Sequence, residues 1–138
     1  MRFGSSEIYS IIESPPFTTH LSTTLCIGRR RPQDTDEAVF LFVVPLPNHS
    51  LTPQLRAQIK AAVRKNLSPR HVPKFVFEVP EIPVTINGKK VEVAVREIVS
   101  GREVEVSATV ANPGCLRAFG RFRGVEVEEE GEGVRAKL

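Results

Sequence analysis

Apolar residues at Val91, Ala94, Val95, Ile98 and Val99 follow the i, i+3, i+4, i+7, i+8 spacing of an amphipathic helix, and Ser100-Gly101 behind them is a stop signal. The pattern predicts a helix near 90–100. A second stripe, Leu55, Ile59, Ala62, Val63 and Leu67, predicts a helix near 53–67. Thr52-Pro53 stands in front of it, a capping hydroxyl followed by a residue suited to the first turn. Ile8, Ile11 and Ile12 predict a third helix near 5–13, ended by Pro15-Pro16. Strand signals lie between these. Ala38 to Val44 is an almost unbroken apolar run, the signature of a central strand buried on both faces. Thr23 to Gly28 is a short strand. Phe75, Phe77 and Val79 alternate with Val76 and Glu78, which predicts a strand near 74–79. Arg2-Phe3 reads as the end of a further short strand, and Glu103 to Val106 as a strand candidate. The expected fold class is α+β, a three-stranded sheet (23–28, 38–45, 74–79) packed with about three helices.

Composition narrows this picture only a little. With 138 residues the chain can build one modest core. The formal charge of +3 is uneven: residues 125–138 hold five acids against two bases, net −3, leaving about +6 on the remainder. That acidic, glycine-interrupted end is expected to be disordered in part. A basic body suits polyanionic ligands such as nucleotides, CoA or nucleic acid without choosing among them. Cys26 and Cys115 form no CxxC pattern, and Cys26 lies in a strand-like run, so a reduced, cytoplasmic setting is expected. No apolar run is long enough to span a bilayer or to form a signal core, so no membrane partner is expected. His20, His49 and His71 lie far apart without metal-ligand spacing, and no metal site is expected.

Three basic features invite a functional reading. Arg29, Arg30 and Arg31 are adjacent, but no aromatic residues interleave with them for stacking on bases. They read as a solvated hairpin tip. Arg56, Lys60 and Arg64 recur every fourth residue on one helix face, the spacing of an ordinary solvated stripe. The third feature is Asn87-Gly88-Lys89-Lys90, a turn that tolerates positive φ and carries lysines at the mouth of a helix. It is not a Walker phosphate loop, because no glycine stands five residues before Gly88 and Lys90 occupies the Ser/Thr position.

The stretch Pro83-Val84-Thr85-Ile86-Asn87-Gly88-Lys89 ahead of an amphipathic helix resembles the C-terminal signature of the acyl-adenylate-forming ligases, Pro-x-Thr-x-Ser/Asn-Gly-Lys. Arg2, Gly4, Glu7 and Ile8 match that family's hinge-proximal motif in spacing. The wording Arg-Phe-Gly-Ser-Ser-Glu-Ile-Tyr is closest to the acetoacetyl-CoA synthetases. Leu67, Pro69, Val72 and Pro73 match a further connection. The resemblance covers residues 1–101, read as an AMP-binding enzyme C-terminal domain. Residues 102–138 are read as a poorly defined tail.

The resemblance implies a mobile domain of an ATP-dependent acid–CoA ligase. It implies that Lys89 is the adenylation lysine and that Arg2 and Gly4 line the CoA side of the site. ATP (with Mg) and CoA are the implied co-substrates. The implied partners are an N-terminal adenylate-forming domain, in cis or in trans, and the acyl-adenylate; nucleic acid is not expected. Since the ATP pocket of these ligases lies in that other domain, this chain is expected to be inactive alone. The rival reading is a small basic module binding RNA or an acidic protein through Arg29–Arg31, Arg56, Lys60 and Arg64.

Overall fold

The computed structural model describes residues 5–127 and 134–135, with helices α1 (Ser5–Ile12), α2 (Pro53–Asn66) and α3 (Glu92–Val99). Its strands are β1 (Leu21–Arg29), β2 (Ala38–Pro45), β3 (Phe75–Glu78), β4 (Glu126–Val127) and β5 (Val134–Arg135). The first three form a mixed sheet in the order β1-β2-β3, so the apolar run is the central strand as expected. Strands β2 and β3 are parallel, with Phe40 opposite Phe75, Leu41 opposite Val76 and Phe42 opposite Phe77.

The chain divides into two compact units, one built from residues 1–28 and 38–82, the other from 29–37 and 83–138. In the first unit the alternation along β2 and β3 sorts side chains onto two faces. Val39, Leu41, Val43 and Val76 join Ile8 and Ile12 of α1 and Leu55, Ile59 and Val63 of α2 in one buried cluster. Phe40, Phe42, Phe75 and Phe77 gather on the opposite face, with the Phe40 and Phe75 ring centroids 4.6 Å apart. Helix α2 begins as its sequence requires: the Thr52 hydroxyl accepts from the Leu55 N–H at 3.0 Å, and Pro53 takes the first helical position.

In the second unit α3 ends on a Schellman closure. Gly101, at φ +93°, donates to the Ile98 carbonyl, and Arg102 donates to that of Glu97. One sequence expectation fails here. Glu103 to Val106 is not a strand; it is an irregular exposed connection. Within the segment that the sequence left poorly defined, a 3-10 helix forms at Pro113–Phe122. Its buried residues, Leu116, Phe119 and Phe122, fall at intervals of three, followed by buried Val125. A 3-10 helix has three residues per turn, so this spacing puts all of them on one side. Of the acidic end, 128–133 and 136–138 lie outside the described residues, while β4 and β5 pair antiparallel. The Arg2-Phe3 strand also lies outside them.

Candidate functional site

The lysine turn lies in the second unit and is built by Thr85. The Thr85 carbonyl accepts from Gly88 N–H at 2.8 Å, closing the turn. Its own N–H donates to the Lys89 carbonyl at 2.8 Å, and its hydroxyl accepts from Lys89 N–H at 3.1 Å. Gly88 sits at φ +81°, while no atom lies within 4 Å of where a Cβ would be. The glycine is therefore required by conformation and not by space. Val84 bridges Lys90, and Val91 N–H reaches the Pro83 carbonyl, which completes a short two-armed patch.

The Lys89 side chain is exposed, and its ammonium makes no hydrogen bond or ion pair with any described residue. Its backbone is thus tied while its charge is left to solvent. Lys90, next to it, is half-buried. Ile86, at the same tip, is 72% exposed, unusual for a large apolar side chain. Arg2 and Gly4 lie outside the described residues.

Of the three adjacent arginines Arg30 is exposed, but Arg29 and Arg31 are not the solvated residues expected from sequence. Arg29 is 3% exposed. One of its terminal nitrogens donates to the carbonyls of Phe122, Arg123 and Val125, the last at 2.7 Å. Arg31 forms a two-pronged pair with Asp34, at 3.0 and 2.9 Å, and reaches Glu126 at 3.1 Å. Carbonyls ending a helical segment and two carboxylates take up the charge of the two guanidinium groups in place of water, while the Arg29 Nε stands 4.0 Å from an Asp34 carboxylate oxygen, beyond hydrogen-bond distance. Burial pushes the Arg29 pKa down, helped by the Arg31 charge and opposed by Asp34 and Glu126. Hydrogen bonding to Arg31 holds the Asp34 carboxyl below its ordinary value, and the Arg31 pKa is raised by the same bond.

On α2, Arg56 donates to the Val76 carbonyl at 3.2 Å. Lys60 is half-buried; desolvation, and then the Arg56 charge, lower its pKa. Arg64 is exposed. The rival basic module therefore loses Arg29, Arg31 and much of Arg56 to internal bonds. No group of three or more His, Cys, Asp or Glu among the described residues could hold a metal ion.

Residues 21–89, half of the chain, match the AMP-binding enzyme C-terminal domain, and the match ends on Lys89. The chain belongs to this family. The malonamoyl-CoA synthetase of Penicillium aethiopicum is 51% identical over 122 residues, covering 86% of this chain and 17% of that protein. The acetoacetyl-CoA synthetase of Caenorhabditis elegans is 42% identical over 123 residues, covering 89% and 17%. Among solved structures, acetoacetyl-CoA synthetase from Streptomyces lividans superposes with a TM-score of 0.73 at 33% identity, covering 89% of this chain and 18% of that one. An acyl-CoA synthetase from Brucella canis gives a TM-score of 0.53 at 30% identity, covering 65% and 16%. This family member thus spans about a sixth of the length of the relatives it matches. The matched spans are longer than residues 1–101 and so run into the segment that pattern reading left undefined.

Sequence reasoning did not place the segment 109–112 beside the lysine turn. It meets the turn through the backbone of Thr109 and Ala111 and the side-chain oxygen of Asn112, contacts that no local pattern marks. The 3-10 helix that follows was findable, from Asn112-Pro113 and the period of three.

Proposed function

We propose that this chain is the mobile C-terminal domain of an ATP-dependent acid–CoA ligase, of the acetoacetate type, and that Lys89 is its adenylation lysine. The observation that carries this reading is an exposed ammonium, unpaired among the described residues, on a turn whose backbone is held by Thr85 and Gly88. A lysine fixed at its base and unengaged at its tip can enter a cleft in another domain without first breaking an ion pair.

The reaction joins acetoacetate, ATP and CoA to give acetoacetyl-CoA, AMP and pyrophosphate. A carboxylate oxygen attacks the α-phosphorus of ATP, the new O–P bond forms, and pyrophosphate leaves. The CoA thiol then attacks the acyl carbon of the adenylate, and AMP departs. Negative charge grows and moves on phosphate and carboxylate oxygens in the first step. The Lys89 ammonium stabilises that charge without transferring a proton. In the same reading the domain rotates between the half-reactions, and Arg2 and Gly4 then face the pantetheine of CoA. ATP arrives as its Mg complex. The partner is an N-terminal adenylate-forming domain, in cis or in trans, and the setting is cytoplasmic. Residues 1–101 form the family domain, with the remainder appended to it. The acetoacetate assignment rests on the relatives' names and on the Arg2–Tyr9 wording; one relative is named for malonamoyl-CoA instead.

Lys89→Ala in the complete ligase tests this. Adenylation, followed as pyrophosphate exchange into ATP, is expected to fall on the order of a hundred- to a thousand-fold. Thioester formation from pre-made adenylate is expected to survive. Equal loss of both half-reactions, or of neither, removes Lys89 from the role.

A further inference from the structure

We propose that residues 109–112 form a strap that sets the conformation of the Lys89 turn, with Asn112 as its positioning residue. Its catalytic consequence rests on the role assigned to Lys89; its structural content does not.

Residues 83–86 are the middle ply of a three-layered patch. Their polar groups alternate sides, as in any extended segment. Thr85 and Pro83 bond toward the lysine arm, through Thr85 N–H to Lys89 and Val91 N–H to Pro83. Val84 and Ile86 bond the other way, toward the strap. Ala111 N–H donates to the Val84 carbonyl at 2.8 Å, and Ile86 N–H to the Thr109 carbonyl at 2.9 Å. The Asn112 side-chain oxygen accepts from Val84 N–H at 2.9 Å. Asparagine is a favoured helix cap. Asn112 stands in the capping position of the Pro113–Phe122 helix, yet its side chain makes no capping bond there. Its oxygen serves the lysine turn instead.

A two-stranded hairpin on its own is marginal in water, and a third ply changes that. The strap is also held at its far end. Leu116, Phe119 and Phe122 bury the helix that follows it, Arg29 binds the carbonyls of Phe122, Arg123 and Val125, and Arg123 donates to the Ile98 carbonyl at 2.7 Å. Residues 109–112 lie beyond the 21–89 span that matches the family domain. The device therefore belongs to the part of this chain outside that match.

Amide hydrogen exchange on the 138-residue chain reads the strap directly. Asn112→Ala is expected to speed exchange at Gly88, Lys89 and Val91, none of them bonded to Asn112, by about fivefold. Amides of α2 and β2 should stay unchanged. Asn112→Asp keeps an acceptor oxygen and should exchange like the parent. Ala111→Pro removes the N–H that the strap donates to the Val84 carbonyl and should act like Asn112→Ala. Unchanged exchange at the three turn amides in both variants, or a rise shared equally with α2, overturns the strap.

In the complete ligase Asn112→Ala should lower adenylation on the order of tenfold by misplacing the ammonium, with thioester formation spared. Full adenylation in Asn112→Ala, where Lys89→Ala abolishes it, overturns the positioning role. Should Lys89→Ala itself leave adenylation intact, the function proposed above falls, and the exchange data still decide the strap.

Discussion

Arg29 and Arg31 are separated by one residue and do different work. Arg29 is almost wholly enclosed and spends its charge on three main-chain carbonyls. Arg31 spends its charge on Asp34 and Glu126. The Asp34 carboxyl, 15% exposed, is the acid on which this cluster turns. Its pKa is held below the ordinary aspartate value in the folded chain, first of all by the hydrogen bond from Arg31. A depressed carboxylate contributes stability above its unfolded pKa, and that contribution is lost as pH falls through the folded value. Asp34→Asn should therefore lower unfolding stability at pH 7 by about 1–3 kcal/mol. The gap to the parent should shrink as pH drops below about 4. Urea midpoints measured from pH 7 to pH 3 check this. A gap that stays constant with pH would mean that the ion pair contributes nothing and only packing was lost.

At the scale of elements, period decides which parts of the chain announce themselves. The stripes of α2 and α3 and the apolar run of β2 are strong because each side chain sees its own local face. The 3-10 helix at Pro113–Phe122 is quieter, since a period of three over a few turns is easily taken for loop. Phe119 is nonetheless 2% exposed, with its ring 6.2 Å from that of Phe122. Phe119→Ala should cost about 3–5 kcal/mol of stability. Amide exchange should rise in residues 113–125 and in α3 well before it rises in α2. If denaturant unfolding is unaffected, the segment beyond residue 101 does not contribute to the core.

For the molecule as a whole, the proposed reading is that of a carrier of one reactive side chain, Lys89. No helix among the described residues is long and apolar enough to cross a membrane. On the proposed reading the 138-residue chain, given acetoacetate, ATP and CoA, should form no detectable thioester by chromatography. The same domain joined to its adenylate-forming partner should form it. Turnover by the chain alone would overturn that division of labour. RNA affinity that falls steeply with salt would revive the basic-module reading, but Arg29 and Arg31 are already committed to internal acceptors.

Period and turn chemistry were enough to locate the three helices, the central position of β2 and the turn that exposes Lys89, because each depends on neighbours a few residues away. Distant contacts were beyond their reach. Three adjacent arginines look solvated until carbonyls from more than ninety residues onward arrive to bind one of them. A lysine turn looks like an isolated hairpin until a third ply, Thr109 to Asn112, is laid against it. Local sequence thus determined where the candidate lysine is carried. Only the tertiary structure decided which charges were consumed in holding it there, since a buried charge is stable only beside partners that the chain brings from afar.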